Sequence, residues 1–286
     1  MLKHLLVALD DTRDSRVALQ HALDLAHAQG GRVLLATVKE GEIPEPDFTV
    51  DAGTGLDFTG EASRPGVWYE EETRDEEGQN GGRRQAGAPV LEEARTLCEQ
   101  HGILGGTSVL IGRPADRLSR KLRVADALIV GRGGSTREGA ASLGSCTRDL
   151  TRNAHKPVLV AGHEYFEPDG VLAIYDGTEA GQRTLQLTSE LGVTLNRHLS
   201  VLCCGRDRDD QHRLEGESRE YLRGYGLTSD LRRVATDDFE EILTAAREAN
   251  AATIAVPRSE GLLKWLRPTL AERLIEELRF PIWVVG

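Results

Sequence analysis

The sequence lacks long apolar runs, and its longest uncharged apolar segments have only the length of a β-strand. A helix needs about 20 consecutive apolar residues to cross a bilayer, so a membrane-spanning protein is not expected. No cleavage site follows the apolar N-terminal run Leu5–Leu9, which favours a cytoplasmic protein over a secreted one. The four cysteines form no CxxC pair and the eight histidines form no HxxxH or HExxH pair. We therefore expect no structural zinc, no redox centre and mostly buried, reduced thiols.

Positive charge is also scarce, with 35 Lys and Arg against 46 Asp and Glu and a net charge of -11. This balance disfavours nucleic acid and anionic membranes as partners. The acid is concentrated between Gly41 and Ala88, where twelve acidic residues meet four arginines. The same stretch holds nine glycines, three prolines and few large apolar residues, so it is not expected to fold alone. Two interpretations stay open for it: a disordered or weakly docked surface loop, and a flexible lid or partner-docking segment.

Short apolar segments alternate with helical patterns along the chain. Strands are predicted at Leu5–Leu9, Val33–Val38, Thr107–Ile111, Ala127–Val130 and Val158–Ala161. Helices are predicted around Val17–Ala26, Val90–Gln100, Ala115–Val124 and Cys146–Asn153. Fully apolar strands that alternate with helices are typical of a parallel sheet covered on both faces, so the predicted fold class is α/β.

The same alternation then repeats at nearly fixed offsets. Adding 166 to the residue number places Asp10 on Asp176 and Val33 on Leu199. Adding 124 places Leu118 on Ile242 and Pro157 on Pro281, and the offset changes across the acidic stretch. We predict two tandem Rossmann-like copies, each a five-stranded parallel sheet flanked by helices. The predicted first copy is residues 1–162 with an acidic insertion at 41–88, the linker is 163–170 and the second copy is 171–286.

A glycine-rich segment follows the fourth predicted strand and runs from Gly131 to Ser145. At this position Gly131 and Gly134 can take positive φ and let backbone amides approach a ligand without a Cβ in the way. Gly144 and Ser145 then open a helix, whose unpaired N–H groups form an anion site. The segment is thus a candidate phosphate-binding loop, although simple turn chemistry also explains glycines after a strand.

The spacing of Gly131, Gly134, Gly144 and Ser145 resembles the nucleotide-binding signature of the universal stress protein family. Further similar segments are Leu6–Asp10 followed by Thr12, Ala36–Val38, Gly112–Ala115 and His155–Val160. The resemblance covers the first copy apart from its insertion and, more weakly, the second copy. It implies the adenine nucleotide alpha hydrolase-like form of the Rossmann-like fold. It also implies that Val158–Ala161 and Ile282–Val285 pair within the chain, which makes the two copies a pseudo-dimer.

The resemblance also implies a site for ATP, with Mg²⁺ or Mn²⁺, in the first copy. By position, Ala8, Asp10 and Val38 meet adenosine, Gly131 and Gly134 approach the ribose and phosphates, and Gly144, Ser145 and Cys146 take the polyphosphate. Other interpretations remain: Asp10 caps the following turn, and Ser145 is a plain N-cap. The Arg132–Gly133 pair departs from the family pattern, which leaves phosphate contacts from that segment undecided.

The second copy provides an internal comparison at these positions. At a constant offset of 124, Gly131 is replaced by Ala255, Gly134 by Arg258, Gly144 by Pro268 and Ser145 by Thr269. Thr269-Leu-Ala-Glu272 predicts a capping box, in which the helix satisfies its own N-terminus. The equivalent of Glu272 in the first copy is Arg148, a cation that suits an external phosphate. We expect one nucleotide site per chain, in the first copy, with Asp176 kept for turn chemistry or for a remnant pocket.

Three hypotheses for function follow. The first is a nucleotide-dependent regulatory protein in the stress response. Its nucleotide-bound state would be recognised by an unknown protein partner or would change self-association into a homodimer of tandem chains. The second is a slow ATPase or nucleotide-transferring enzyme, for which Glu138 is the one carboxylate that the sequence suggests near the phosphates. The third is an assembly scaffold that binds no ligand. No catalytic or metal-ligating residue is predicted.

Overall fold

The structure is a computed structural model that describes residues 2–39, 88–103, 105–133, 143–165, 170–227, 229–236, 238–249, 251, 253–259 and 268–286. The first copy contains β1 (His4–Ala8), α1 (Arg13–Gln29), β2 (Arg32–Lys39), α2 (Ala88–Gln100), β3 (Gly105–Ile111), α3 (Pro114–Lys121), a 3-10 turn (Leu122–Val124), β4 (Ala127–Val130), α4 (Ser145–Asn153) and β5 (Val158–Val160). The second copy contains β6 (Gly170–Tyr175), α5 (Glu179–Leu195), β7 (His198–Gly205), α6 (Arg208–Gly224), β8 (Ser229–Ala235), α7 (Phe239–Glu248), β9 (Thr253–Pro257), α8 (Leu270–Glu277) and β10 (Ile282–Val285).

The helix ends follow ordinary capping chemistry. Thr12 caps α1 by accepting a hydrogen bond from the Ser15 amide, and Gly30 ends the helix with a φ of 57°. In the second copy Thr178 caps α5 in the same way, and Asn196 ends it with a φ of 50°. Asparagine is the residue that most readily replaces glycine in this left-handed conformation, so the two helices end alike.

The described strands form one ten-stranded sheet in the order β3-β2-β1-β4-β5-β10-β9-β6-β7-β8. Within each copy the strands are parallel, and β5 and β10 pair antiparallel at the junction, with Trp283 opposite Leu159. Trp283 is 1% exposed, so the junction is part of the buried core. The predicted α/β fold and the predicted pairing of the two last strands are confirmed.

Helices cover both faces of this sheet. One hydrophobic cluster joins α1, α2, α5 and α6 to one face, and a second joins α3, α4, α7 and α8 to the other. Each cluster contains residues of both copies, and helix contacts cross the junction on each face, α1 with α5 and α4 with α8. The alternation of buried strand residues between two clusters is what a sheet with two covered faces requires.

The predicted repeat is confirmed, with one correction of register. The offset of 166 maps β2 onto β7 and α1 onto α5, and the offset of 124 maps β3 onto β8. In β9, however, Thr253 pairs with Val171 where the first copy pairs Ala127 with Leu5, so the offset there is 126. The constant offset was wrong at this strand because two residues are added between β8 and β9.

This correction changes which residues correspond at the end of β4. At β5 and β10 the offset is 124 again, since Leu128 pairs with Val158 and Ile254 pairs with Ile282. Gly131 corresponds to Pro257, and Arg132 corresponds to Arg258. The replacements of Gly131 by Ala255 and of Gly134 by Arg258 were therefore misaligned, although the conclusion that the second copy has lost the glycine after its fourth strand is unchanged.

Among the described helices, we find none with the length and the apolar composition that a membrane span requires. The described residues also contain no group of three or more His, Cys, Asp or Glu that could hold a metal ion. The predictions for the acidic insertion fall, except for the start of α2, outside the described residues.

Candidate functional site

The carboxyl ends of β1, β2, β3 and β4 lie along one edge of the first copy. The chain runs outward from β1 to β3 and then returns to place β4 on the other side of β1. Such a reversal leaves a crevice between β1 and β4, and ligands of open parallel sheets bind at this place. Asp10 follows β1 and Gly131 follows β4, so both predicted residues flank the crevice.

Three of the predicted residues are half-buried and share one face of the sheet. Ala8, Val38 and Cys146 each pack against the cluster under α3 and α4, as does Ala115 at the start of α3. The first two stand at the ends of neighbouring strands, and Cys146 is in the first turn of α4. Small and partly exposed apolar residues at a strand edge leave a shallow apolar surface.

A cavity of about 350 Å³ opens between the N-termini of α3 and α4. It is lined by Gly112, Arg113, Pro114, Ala115, Ser145, Cys146 and Asp149. Its volume lies in the range of small-molecule sites, about 300–1,000 Å³. Ser145 and Cys146 were predicted for the site and line this cavity. The other described residues of the prediction are not among its lining residues: Ala8, Asp10, Val38, Gly131 and Gly144.

A larger cavity of about 470 Å³ lies in the second copy between the end of α6 and the start of β8. It touches none of the predicted residues. It also lies at the amino ends of the strands, opposite the edge where α/β sheets bind ligands. We therefore take the smaller cavity as the candidate site.

The two helices that open onto this site differ from the others at their N-termini. Gly144 is the N-cap of α4 with φ -60° and ψ 148°, and no side chain caps the first turn. Arg113 is the N-cap of α3, likewise with no side-chain cap. Among the described helices with an assigned N-cap, α1, α5, α6, α7 and α8 are all capped by Thr or Asp side chains. Uncapped first-turn amides attract anions.

The structure decides several of the alternatives for individual residues. Asp10 Oδ1 accepts hydrogen bonds from the Thr12 amide at 3.0 Å and the Thr12 hydroxyl at 2.5 Å, so this carboxylate does cap the turn. Asp176 makes the same contacts with Thr178, at 3.0 and 2.6 Å, so its carboxylate also caps the turn after its strand. Ser145 is the first residue of α4 rather than its N-cap, a role that Gly144 has. Gly134 and Glu138 lie outside the described residues.

Gly131 does not use the freedom of glycine to take positive φ, because it is not among the residues with positive φ. Its glycine is needed for another reason. A Cβ built on Gly131 would lie 2.8 Å from Asp14 Cβ and 2.9 Å from the Asp14 carbonyl carbon. Gly131 therefore lets the first turn of α1 pack against the end of β4. This contact could not be predicted from the sequence, since Asp14 is distant in the chain.

Arg148 and Arg132 also have roles that the sequence did not indicate. Arg148 Nη2 donates to the Leu143 carbonyl at 3.3 Å, so it folds back over the segment before α4. Arg132 is 7% exposed and its Nη1 donates to the Leu278 carbonyl of the second copy at 2.8 Å. Burial lowers the pKa of Arg132, and the charges of Asp14 and Glu276 oppose that shift. Arg132 thus points into the junction between the copies and not towards the cavity.

The second copy fills the equivalent of this site. Ala8 corresponds to Ile174, which is 1% exposed, and Ala115 corresponds to Phe239, which is 9% exposed. The Arg273 guanidinium, which corresponds to Asp149, lies 3.5 Å from the centre of the Phe239 ring.

The predicted capping box is confirmed and closes the helix of the second copy. Glu272 N–H donates to Thr269 Oγ1 at 3.2 Å, and Thr269 N–H donates to Glu272 Oε2 at 3.2 Å. The motif did not predict that Ala115 and Asp149 line the cavity. The signal that could have found them is their replacement in the second copy by the large residues Phe239 and Arg273.

Solved structures with the same two-copy architecture match this chain over nearly its whole length. A universal stress protein from Archaeoglobus fulgidus DSM 4304 is 16% identical with a TM-score of 0.71, over 100% of this chain and 99% of that one. A protein described as a putative universal stress protein, from Pseudomonas aeruginosa UCBPP-PA14, is 14% identical with a TM-score of 0.66, over 99% of this chain and 93% of that one. At these identities the likeness shows the fold alone.

A universal stress protein in complex with cAMP is 21% identical with a TM-score of 0.37, over 57% of this chain and 99% of that one, a likeness that supports no conclusion about this site. No curated protein matches the sequence. A family model described as the universal stress protein family matches residues 1–162. This match covers more than half of the chain, which therefore belongs to the universal stress protein family.

Proposed function

We propose that this chain binds ATP at the carboxyl edge of its first copy and acts as a nucleotide-dependent regulatory protein. The observation that carries the proposal is the difference between the copies at equivalent positions. The first copy has a cavity, small half-buried residues and two uncapped helices, whereas the second has Ile174, Phe239, Arg273 and a capping box. The capping box uses two N-terminal amides of α8 and places the Glu272 carboxylate at the helix end, where its negative charge disfavours a phosphate.

Each part of an adenine nucleotide has a suitable surface. The apolar base would lie near Ala8 and Val38, which are half-buried at the strand ends. The phosphates would lie in the cavity, where the first amides of α4, at Ser145 and Cys146, offer donors at the positive end of a helix. Arg113 adds a positive charge on the opposite wall. In this arrangement Asp10 retains its hydrogen bonds to Thr12 and also contacts adenosine at the crevice.

We also propose that Mg²⁺ or Mn²⁺ accompanies the nucleotide. Among the described residues that line the cavity, Asp149 is the one carboxylate, and a single carboxylate does not form a dedicated cage. A divalent ion would therefore be held mainly by the phosphates, whose charge it neutralises next to Asp149.

The remaining proposals concern organisation. Residues 1–162, 163–170 and 171–286 are proposed as first domain, linker and second domain. We propose that bound nucleotide is detected through homodimerisation of the chain or through binding of an unidentified protein partner. Hydrolysis is not proposed, since no arrangement of described residues favours it.

The test transfers residues from the second copy into the first. Ala115→Phe introduces the residue that fills the equivalent space in the second copy, and Ser145→Glu adds a negative charge in the first turn of α4. We expect wild type to bind one Mg·ATP per chain in calorimetry and each variant to lose at least ten-fold in affinity. Ala28→Phe, an exposed position at the far end of α1, is the matched control and should bind as wild type does. Equal affinity in all four proteins would refute the site, and no binding by wild type at millimolar ATP would favour the scaffold hypothesis.

A further inference from the structure

Two arginines cross the junction between the copies at corresponding positions. Arg132 follows β4, and its Nη1 donates to the carbonyl of Leu278 at 2.8 Å. Arg258 follows β9, and its Nη1 donates to the carbonyl of Ala154. Leu278 is the C-cap of α8 and Ala154 is the C-cap of α4. Each of these bridging arginines, Arg132 and Arg258, therefore closes the last helix of the opposite copy.

The contacts use the chemistry of helix C-termini. The last carbonyls of a helix have no partner within the helix and form the negative end of its dipole, so a cation there is favourable. The guanidinium of Arg132 is largely removed from water, and loss of a hydrogen bond to a buried charged group is costly. Both bridging arginines are thus strong candidates for fixing the position of the helix end that they reach.

The same contacts reach both ends of α4. At its N-terminus, the Gly144 amide donates to the Arg132 carbonyl at 2.9 Å, so the residue whose side chain enters the second copy also holds the N-cap of α4. At its C-terminus, Arg258 holds Ala154. Neither arginine is among the residues that line the cavity. The second copy therefore contacts the C-terminal end of α4 directly, through Arg258. It reaches the N-terminal end only through Arg132, whose carbonyl holds Gly144 and whose side chain bonds to Leu278.

We propose that Arg132 and Arg258 are positioning residues through which the second copy holds α4 in place for the nucleotide. This rests on the proposed function for the ligand, but the positioning of α4 stands on the contacts alone. Affinity for the nucleotide then depends on docking of the second copy, and by linkage the nucleotide strengthens that docking by the same factor. The second copy has filled the equivalent of the candidate site, but in this proposal it still positions α4 at the site of the first copy.

The test replaces Arg258, which lies in the second copy and far from the cavity in sequence. Arg258→Met removes the donor and keeps an apolar stem, and Arg258→Lys keeps a donor. Arg247→Met is the control, since Arg247 has a 56% exposed side chain and a 4.0 Å ion pair with Glu277. Hydrogen exchange of peptides that cover residues 143–153 is measured without ligand, and the Kd for Mg·ATP is measured by calorimetry.

We expect Arg258→Met to speed exchange in residues 143–153 about ten-fold and to weaken ATP binding about ten-fold, within the usual range of coupling between sites. Arg258→Lys should restore part of both losses, and Arg247→Met should change neither. Unchanged exchange and unchanged affinity in Arg258→Met would overturn the proposal. If Arg258→Met does not fold, the comparison of Arg258→Lys with wild type decides in the same way. If wild type binds no ATP, the proposed function fails, and the exchange measurement still decides whether Arg258 positions α4.

Discussion

Replacement of Arg152 by methionine should destabilise the whole chain strongly. Arg152 in α4 and Glu272 in α8 form a two-bond ion pair between the copies, with Nε to Oε1 at 2.5 Å and Nη2 to Oε2 at 2.8 Å. Their side chains are 12% and 3% exposed. Removal of the cation leaves a carboxylate that water hardly reaches, so the main cost is the desolvation of an unpaired charge and not the lost attraction.

The size of the loss in the free energy of unfolding depends on the interactions that Glu272 retains in Arg152→Met. Removal of one partner from a buried ion pair costs about 3–5 kcal/mol. Glu272 still accepts the Thr269 amide at 3.2 Å and still lies at the positive end of α8. These interactions place the expected loss at the lower end, about 3 kcal/mol. Arg152→Met combined with Glu272→Gln should recover most of it, because glutamine keeps the capping box without the charge.

The assay is urea unfolding followed by far-ultraviolet circular dichroism at neutral pH. Arg232→Met is the control, because Arg232 pairs with Glu248 on the surface with side chains 44% and 61% exposed. Such a pair contributes about 0–1 kcal/mol. If Arg152→Met and Arg232→Met lower the free energy of unfolding equally, or if the added Glu272→Gln change deepens the loss, the reasoning is refuted.

Two further predictions concern single groups. Burial lowers the pKa of His21 to about 4 from 6.5, and the charge of Asp24 opposes this shift. Above pH 6.5 the imidazole is neutral in the folded and in the unfolded chain, so the contribution of His21 to the free energy of unfolding has its full value there. As pH falls from 6.5 to 4, wild type should lose up to about 3 kcal/mol relative to His21→Leu, measured by unfolding at each pH. An equal pH dependence in both proteins would contradict this. In thiol labelling of the folded protein, the half-buried Cys146 should react first and Mg·ATP should slow it, since the other three cysteines are buried. Equal labelling with and without Mg·ATP would count against the site.

The fold could be predicted from the sequence because its signals are local. Short apolar strands, helical periodicity and capping residues recur at fixed offsets, and α1 and α5 agree with that repeat at both ends. The pairing of β5 with β10 followed from the family resemblance. The register of β9 could not be predicted, since an offset that holds at Leu118 and Pro157 gives no sign of two residues added between β8 and β9.

The site could be predicted only in part, because a motif specifies backbone and not side-chain destinations. Gly131 matched a ligand-binding signature, yet its missing Cβ accommodates Asp14 of α1. Arg132 appeared as a departure within a phosphate loop and instead reaches Leu278 in the second copy. Contacts of this kind depend on how two distant segments pack. The stack of Arg273 on Phe239 is another example, and it marks the space that stays open in the first copy.

The most direct test of the account is where a nucleotide attaches. We suggest photolabelling of the purified chain with 8-azido-ATP and Mg²⁺, followed by peptide mass spectrometry, with excess ATP as competitor. The account predicts one competable label per chain, in peptides of residues 1–162, and its loss in Ala115→Phe. A label in residues 171–286, or no competable label at millimolar nucleotide, would contradict the claim that the first copy keeps an open nucleotide site while the second has filled its own.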